Sequence, residues 1–167
     1  VTWFGANAYC EYYDTRLPLE VEWEKAARGT EITENGHGRP FAWGTEIHGN
    51  YANYYSSADL FEKMYGKLGN TTPVGFYNGQ TYEGYETHDS VSPYGLYDMG
   101  GNVWEWSASV EGKPPFLHGG SWVNGNRIFE AAQEVTASAI RGVTSPSMAL
   151  AQVMEIGPTI KMAYRCE

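Results

Sequence analysis

Apolar and polar positions change rhythm along this chain, and each change marks an element. In residues 3–13, Phe4, Ala8, Tyr9 and Tyr12 recur at helical spacing and predict a short helix with one apolar stripe. Asp14-Thr15-Arg16-Leu17-Pro18 interrupts it. A second helix is predicted to begin near Leu19. Glu20, Glu22 and Glu24 sit early, where the helix dipole favours carboxylates, Lys25 and Arg28 sit late, and Gly29 can close the end. Its inward side would hold Val21, Trp23, Ala26 and Ala27. Leu19 offers no side-chain oxygen to the free N–H groups of the first turn, a loss of roughly 1 kcal/mol against a Ser or Thr cap.

From Thr30 to about Ser92 the periodicity nearly vanishes, and Gly, Asn, Pro, Tyr and Ser alternate. So long a loop is uncommon in a compact domain. The aromatic residues spaced through it (Phe41, Trp43, Tyr51, Tyr54 and Phe76) therefore read as anchors that pin an excursion onto a core. Residues 61–65 have room for one helical turn. Residues 102–109 (NVWEWSAS) alternate in the manner of a strand, and residues 116–123 (FLHGGSWV) read as another, interrupted by two glycines. Residues 161–166 predict a last strand, and a helix is predicted near residues 131–140. The pattern is α+β: two short N-terminal helices, abundant irregular loops and a small antiparallel sheet.

Composition narrows the function. The 167 residues make about one domain, spanning 1–167, long enough to bury a sizeable core. With 42% hydrophobic and 19% charged residues the chain is too apolar for disorder, and no apolar run approaches the length of a membrane span. A net charge of −9 repels phosphate backbones and anionic lipid, so no nucleic-acid partner is expected; it attracts metal cations and basic partners. No signal peptide is visible, and an opening at Val1-Thr2-Trp3-Phe4 fits a processed or truncated product as well as a complete one. Twenty glycines beside 6 Trp, 13 Tyr and 6 Phe point to a compact fold with much turn-stabilised backbone.

Asp98 and Glu105 flank the tight Met99-Gly100-Gly101-Asn102 turn. A glycine turn lets carbonyls converge beside two carboxylates, the donor set a hard cation wants. On spacing alone, Asp98 as a turn cap and Glu105 as a solvated strand residue is the better reading. The four histidines lack metal-ligand spacing, and Ser121 with His118 has no acid partner for a hydrolase triad. Trp43, Trp104, Trp106 and Trp122 could form an aromatic platform or pack in the core. Asn70-Thr71-Thr72 fits a glycosylation acceptor.

Several blocks in this order resemble one family. They are Trp3-Phe4-x-Ala6-Asn7-Ala8-Tyr9-Cys10, Arg16-Leu17-Pro18-x-Glu20-x-Glu22-Trp23-Glu24-x-Ala26-Ala27-Arg28-Gly29, Trp43-Gly44, Tyr51-Ala52-Asn53 and Thr72-Pro73-Val74-Gly75. The series continues with Tyr94-Gly95-Leu96-Tyr97-Asp98-Met99-Gly100-Gly101-Asn102-Val103-Trp104-Glu105-Trp106, Gly119-Gly120-Ser121-Trp122 and Tyr164-Arg165-Cys166. Together they resemble the formylglycine-generating enzyme family, the sulfatase-modifying-factor domain, a variant of the C-type-lectin fold. The resemblance spans nearly the whole chain and implies a further stretch before Val1.

What the resemblance implies is specific. Family oxidases bind Cu(I) through two cysteines after the Gly-Gly-Ser-aromatic strand, since soft thiolates suit that ion. The matching positions here are Asn124 and Phe129, so no copper is expected. Cys10 and Cys166 match a structural disulfide, which would add about 5 kcal/mol by closing nearly the whole chain and points to an extracytoplasmic location. Calcium would be held by the side chains of Asp98 and Glu105 and the carbonyls of Gly101 and Val103. A second calcium would start at Asn53 and Tyr54; its distal carboxylate is missing near Gly66, with Asp59 or Glu62 as substitutes. A ligand cleft would be lined by His118, Ser121, Trp122 and Asn124.

The expectation is a catalytically silent module of this class, binding a protein partner or assembling into a larger structure outside the cytoplasm, with a glycan or peptide as alternative ligand. Two other readings stand beside it: the domain of an oxygenase whose ligands lie on another segment, of the formylglycine-generating or sulfoxide-synthase type, and a lectin-like carbohydrate module.

Overall fold

A computed structural model describes residues 1–32, 38–65, 70–110, 113–125 and 135–136. Among the described residues there are three helices, α1 (Trp3–Tyr12), α2 (Glu20–Arg28) and α3 (Leu60–Tyr65). Five short strands among the described residues form two sheets. A hairpin pairs β1 (Thr81–Tyr82) with β2 (Tyr85–Glu86), and a three-stranded antiparallel sheet orders β3 (Glu105–Trp106), β4 (Phe116–His118) and β5 (Val135–Thr136). No described helix is long and apolar enough to cross a membrane.

Helix α1 starts where the Thr2 hydroxyl accepts the Gly5 N–H and ends before Asp14, whose φ of 53° leaves helical geometry. Its buried side is Ala6 and Cys10, which pack with Leu17 against Trp3 and Trp106. The stripe read from periodicity faces outward instead: Phe4 is 79% and Tyr12 81% exposed. Small residues let the helix lie close to the sheet, with the Trp3 indole N–H donating to the Ser107 carbonyl at 2.9 Å. Burial holds the Cys10 thiol above its usual range. Cys166 and the predicted strand at 161–166 lie outside the described residues, as does Phe129.

Helix α2 turns Trp23, Ala26 and Ala27 inward, as its pattern predicts, to meet Ala42, Met99, Trp43 and Leu96. Val21, expected with them, is 65% exposed. It sits two residues before Trp23, on another side of a 3.6-residue turn. Leu19 indeed gives no side-chain cap, but the Glu22 carboxylate reaches back to the Leu19 N–H at 2.8 Å, half of a capping box. The same carboxylate takes both guanidinium N–H groups of Arg16 at 2.7 Å. That pairing holds the Glu22 carboxyl below its usual range. A lowered folded-state pKa gives stability that is present above the unfolded value and fades as pH falls through the folded one. Glu22→Gln is therefore expected to cost about 1 kcal/mol near neutrality, with the gap from the parent closing below about pH 4. Urea midpoints at both pH values measure this.

The long middle segment is pinned as its aromatics predict. Phe41, Tyr54 and Phe76 are buried, and Trp43 and Tyr51 half-buried. Phe41 and Trp43 stack at 5.5 Å, and Tyr51 stacks on His88 at 3.8 Å. The hairpin within it turns on Glu83 and Gly84, both at positive φ. The two predicted long strands are shorter than their patterns. Before β3, the residues up to Asn102 form a turn, and after β4 Gly119 and Gly120 (φ 80° and 73°) break the strand. Residues 135–136 are strand β5, not the helix predicted around them; Val135 and Thr136 are both β-branched, and both pair with β4.

Candidate functional site

Two neighbouring turns gather the residues with chemistry. The first runs from Asp98 to Glu105. Asp98, Gly101 and Asn102 all have positive φ (59°, 82° and 60°). At Gly101 the reason is space as well as torsion: a Cβ there would lie 2.4 Å from the Asn53 carbonyl oxygen. That close approach is fixed by the Asn102 N–H, which donates to Asn53 O at 2.8 Å, and by the Gly101 N–H, which donates to Gly119 O at 2.7 Å. The Asn102 side chain then clamps a distant loop: its Oδ1 accepts the Thr72 N–H at 3.0 Å and its Nδ2 donates to Thr72 O at 3.2 Å.

Beyond the turn, Glu105 lies on β3 opposite His118 on β4. Glu105 is 2% exposed, and its Oε2 accepts the Trp23 indole N–H at 2.5 Å. His118 is 1% exposed and stacks on the same Trp23 ring at 4.7 Å. Burial pushes the Glu105 carboxyl up to about 8; the Trp23 hydrogen bond opposes this and the charge of Asp98 adds to it. Burial likewise pushes His118 down to about 4, so its imidazole stays neutral. Glu105 Oε1 and His118 Nε2 are buried without a hydrogen-bond partner among the described residues. Ionising Glu105 with that oxygen bare, in the field of the Asp98 charge, is an electrostatic cost that a cation would remove. Glu105 is thus a core residue, not the solvated strand position that spacing also permitted.

The second turn follows the two glycines. Ser121 is buried; its Oγ donates to Asn124 Oδ1 at 2.6 Å and its N–H to the same oxygen at 3.0 Å. The Asn124 N–H returns to Ser121 O at 2.9 Å, and the Asn124 carbonyl accepts the Tyr55 N–H at 3.0 Å. Trp122 is half-buried beside them, its N–H donating to Asn102 O at 3.0 Å, which links the two turns. The structure therefore brings Ser121, Trp122 and Asn124 together and sends His118 to the Trp23–Glu105 cluster. Trp104 is buried, and Trp43 and Trp106 are half-buried against core clusters. Asn53 is buried, its Nδ2 donating to Asn70 O at 2.7 Å, and Tyr54 is buried with its phenol pushed up by desolvation.

Sequence reasoning missed the roles of Trp23 and Asn102. Trp23 reads as one more apolar position of a helix. Asn102 had a usable signal, since Asn after Gly-Gly tolerates the left-handed region. Among the described residues no three His, Cys, Asp or Glu side chains converge as a metal group; the first turn offers two carboxylates and main-chain oxygens.

Compared with known proteins, residues 1–148 match the family model described as sulfatase-modifying factor enzyme 1-like domain. The chain is 34% identical over 128 residues to the inactive C-alpha-formylglycine-generating enzyme 2 of Bos taurus, covering 74% of this chain and 38% of that protein. It is 34% identical over 109 residues to the hercynine oxygenase of Mycobacterium tuberculosis, covering 65% of this chain and 21% of that protein. The structure of PvdO from Pseudomonas aeruginosa shares the fold at a TM-score of 0.56, with 20% identity, over 82% of this chain and 54% of that one. The chain thus spans well under half the length of these two curated relatives.

Proposed function

This chain belongs to the sulfatase-modifying factor enzyme 1-like domain family, and we propose that within it the chain is a catalytically silent module that binds a partner or joins a larger assembly outside the cytoplasm. The observation that carries this reading is at Asn124. Where the resemblance puts a copper thiolate, an amide oxygen accepts both the hydroxyl and the N–H of Ser121. An amide is a poor ligand for Cu(I) and carries no redox chemistry. Phe129, at the other matching position, has no ligand atom. The similarity to an inactive formylglycine-generating enzyme supports the same reading; Cys10 is a free, buried thiol among the described residues, so its pairing with Cys166 is an expectation of the resemblance alone.

Calcium is the structural cofactor we assign, with Asp98, Gly101, Val103 and Glu105 as its holders. The bare, buried Oε1 of Glu105, in the field of the Asp98 charge, and the all-oxygen donor set fit a hard cation. Its contribution would be to neutralise the two carboxylates and fix the turn beside the Ser121–Asn124 cleft. Calorimetry of the metal-stripped chain is expected to show calcium binding that raises the unfolding temperature, loss of both in Glu105→Gln, and no tight Cu(I) site. Stoichiometric Cu(I) binding would sink the silent reading, and the absence of calcium binding would sink the cofactor.

The similarity to hercynine oxygenase favours a second reading, in which this domain supports an oxygenase whose iron ligands lie on another segment. Iron bound stoichiometrically by a longer form of the protein, and not by calcium-loaded module alone, would select it.

A further inference from the structure

We infer that the loop between Tyr54 and Glu62 is closed by the chain's own carboxylate, seated in a backbone nest, and takes no second calcium ion. The family resemblance starts a second calcium at Asn53 and Tyr54 and leaves Asp59 and Glu62 as the carboxylates to complete it. Their surroundings do not fit that task. Ser56 and Ala58 are L-residues at positive φ (66° and 58°), and alternation of this kind turns successive N–H groups toward one point, a concavity that takes an anion. Glu62 fills it: Ser56 N–H donates to Oε1 at 2.5 Å and Ala58 N–H donates to Oε2.

Asp59, fully buried, is engaged in the same way. Its Oδ2 accepts the Ser57 hydroxyl and the Tyr77 hydroxyl, both at 2.9 Å, and its Oδ1 accepts the Glu62 N–H at 2.7 Å. Every carboxylate oxygen here therefore faces the positive end of an N–H or O–H dipole. A divalent cation at the same oxygens would meet those protons and would have to displace the charge-assisted bonds that hold two left-handed residues in place. The main-chain oxygens at the start of the expected site are also engaged: the Asn53 carbonyl accepts the Asn102 N–H at 2.8 Å and the Tyr54 carbonyl accepts the Ser57 N–H at 3.0 Å, while Asn53 Nδ2 donates to Asn70 O.

The loop also has a task at the Ser121–Asn124 turn. Tyr55, between the nest and Tyr54, donates its N–H to the Asn124 carbonyl at 3.0 Å. Glu62 is thus a positioning residue for the Ser121–Asn124 turn, and it acts whatever the calcium concentration. The inference goes beyond the calcium assignment at Asp98 and Glu105 and does not depend on it.

Amide hydrogen exchange on the chain tests it, with calcium and with excess EGTA, read at Ser56 and Ala58 and paired with a terbium luminescence titration. The expected result is equal protection of both amides in the two conditions. Glu62→Gln, which removes the charge and turns one acceptor oxygen into an NH2 that faces a backbone N–H, should speed their exchange about tenfold or more; calcium should not restore it, and the terbium stoichiometry should be unchanged. Slower exchange of these amides on adding calcium to the parent chain would overturn the inference, and that arm needs no variant to fold. Loss of a terbium equivalent in Glu62→Gln would overturn it equally. Glu105→Gln run in parallel separates the two ideas: if that variant keeps its terbium, the calcium assignment at Asp98 and Glu105 fails while the nest stands.

Discussion

Trp23→Ala is expected to destabilise the chain by about 3–5 kcal/mol, the cost of emptying a large buried side chain from a packed core. The indole is almost wholly enclosed and packs with Ala26, Ala27, Ala42 and Met99. It also makes two specific contacts: its face stacks on the neutral His118 ring, and its N–H satisfies one oxygen of Glu105. Trp23→Phe separates these roles. The phenyl ring keeps most of the packing but leaves the buried Glu105 carboxylate with no donor from Trp23, an expected cost of about 1–3 kcal/mol. Urea midpoints should fall in the order parent, Phe, Ala. A Phe variant as stable as the parent would show that Glu105 draws nothing from the indole N–H.

Asn102→Ala should cost about 2–5 kcal/mol, by stranding a buried N–H and carbonyl of Thr72 and by asking an Ala to hold a left-handed backbone. Both bonds of the Asn102 side chain go to Thr72, thirty residues away in sequence, so the variant should release that loop before the rest of the chain unfolds. Asn102→Gly gives the same side-chain loss with the backbone strain removed and should fall between parent and Ala. Hydrogen exchange at Thr72 measures the release directly. Unchanged protection at Thr72 in either variant would contradict the clamp.

The helices were legible because their signals are local. The carboxylates that open α2, its late Lys25 and Arg28, and Gly29 at its end mark its bounds without reference to the rest of the fold. Which face of α1 is buried was not legible: the apolar stripe of Phe4 and Tyr12 points to solvent because the sheet is approached through Ala6 and Cys10, and periodicity reports that a stripe exists without saying what meets it. The anchors of the long loop were readable from size alone, since burying Phe41 or Phe76 removes much apolar area from water. The strands were overread, because NVWEWSAS alternates from its first residue while Asn102 spends its N–H on Asn53, outside any ladder.

At the site, the motif located the turn, and the tertiary structure supplied its chemistry. Asp98 and Glu105 could be paired by spacing, but nothing in one dimension buries Glu105 behind Trp23 or opposes it to His118. The Ser121–Asn124 turn is the reverse case. Its sequence already lacked the sulfur that the family oxidation uses, and the structure adds that the replacing amide is held by its own neighbour.

The central claim is that this chain has kept the family scaffold without the family oxidation. Its most direct test is to incubate the chain, loaded with Cu(I) and supplied with O₂ and reductant, with a peptide carrying a sulfatase-type cysteine, and to follow the peptide by mass spectrometry. The account predicts that the cysteine is returned unchanged and that no oxygen is consumed beyond the protein-free control. Conversion of that cysteine to the aldehyde, at more than one turnover per chain, would contradict it.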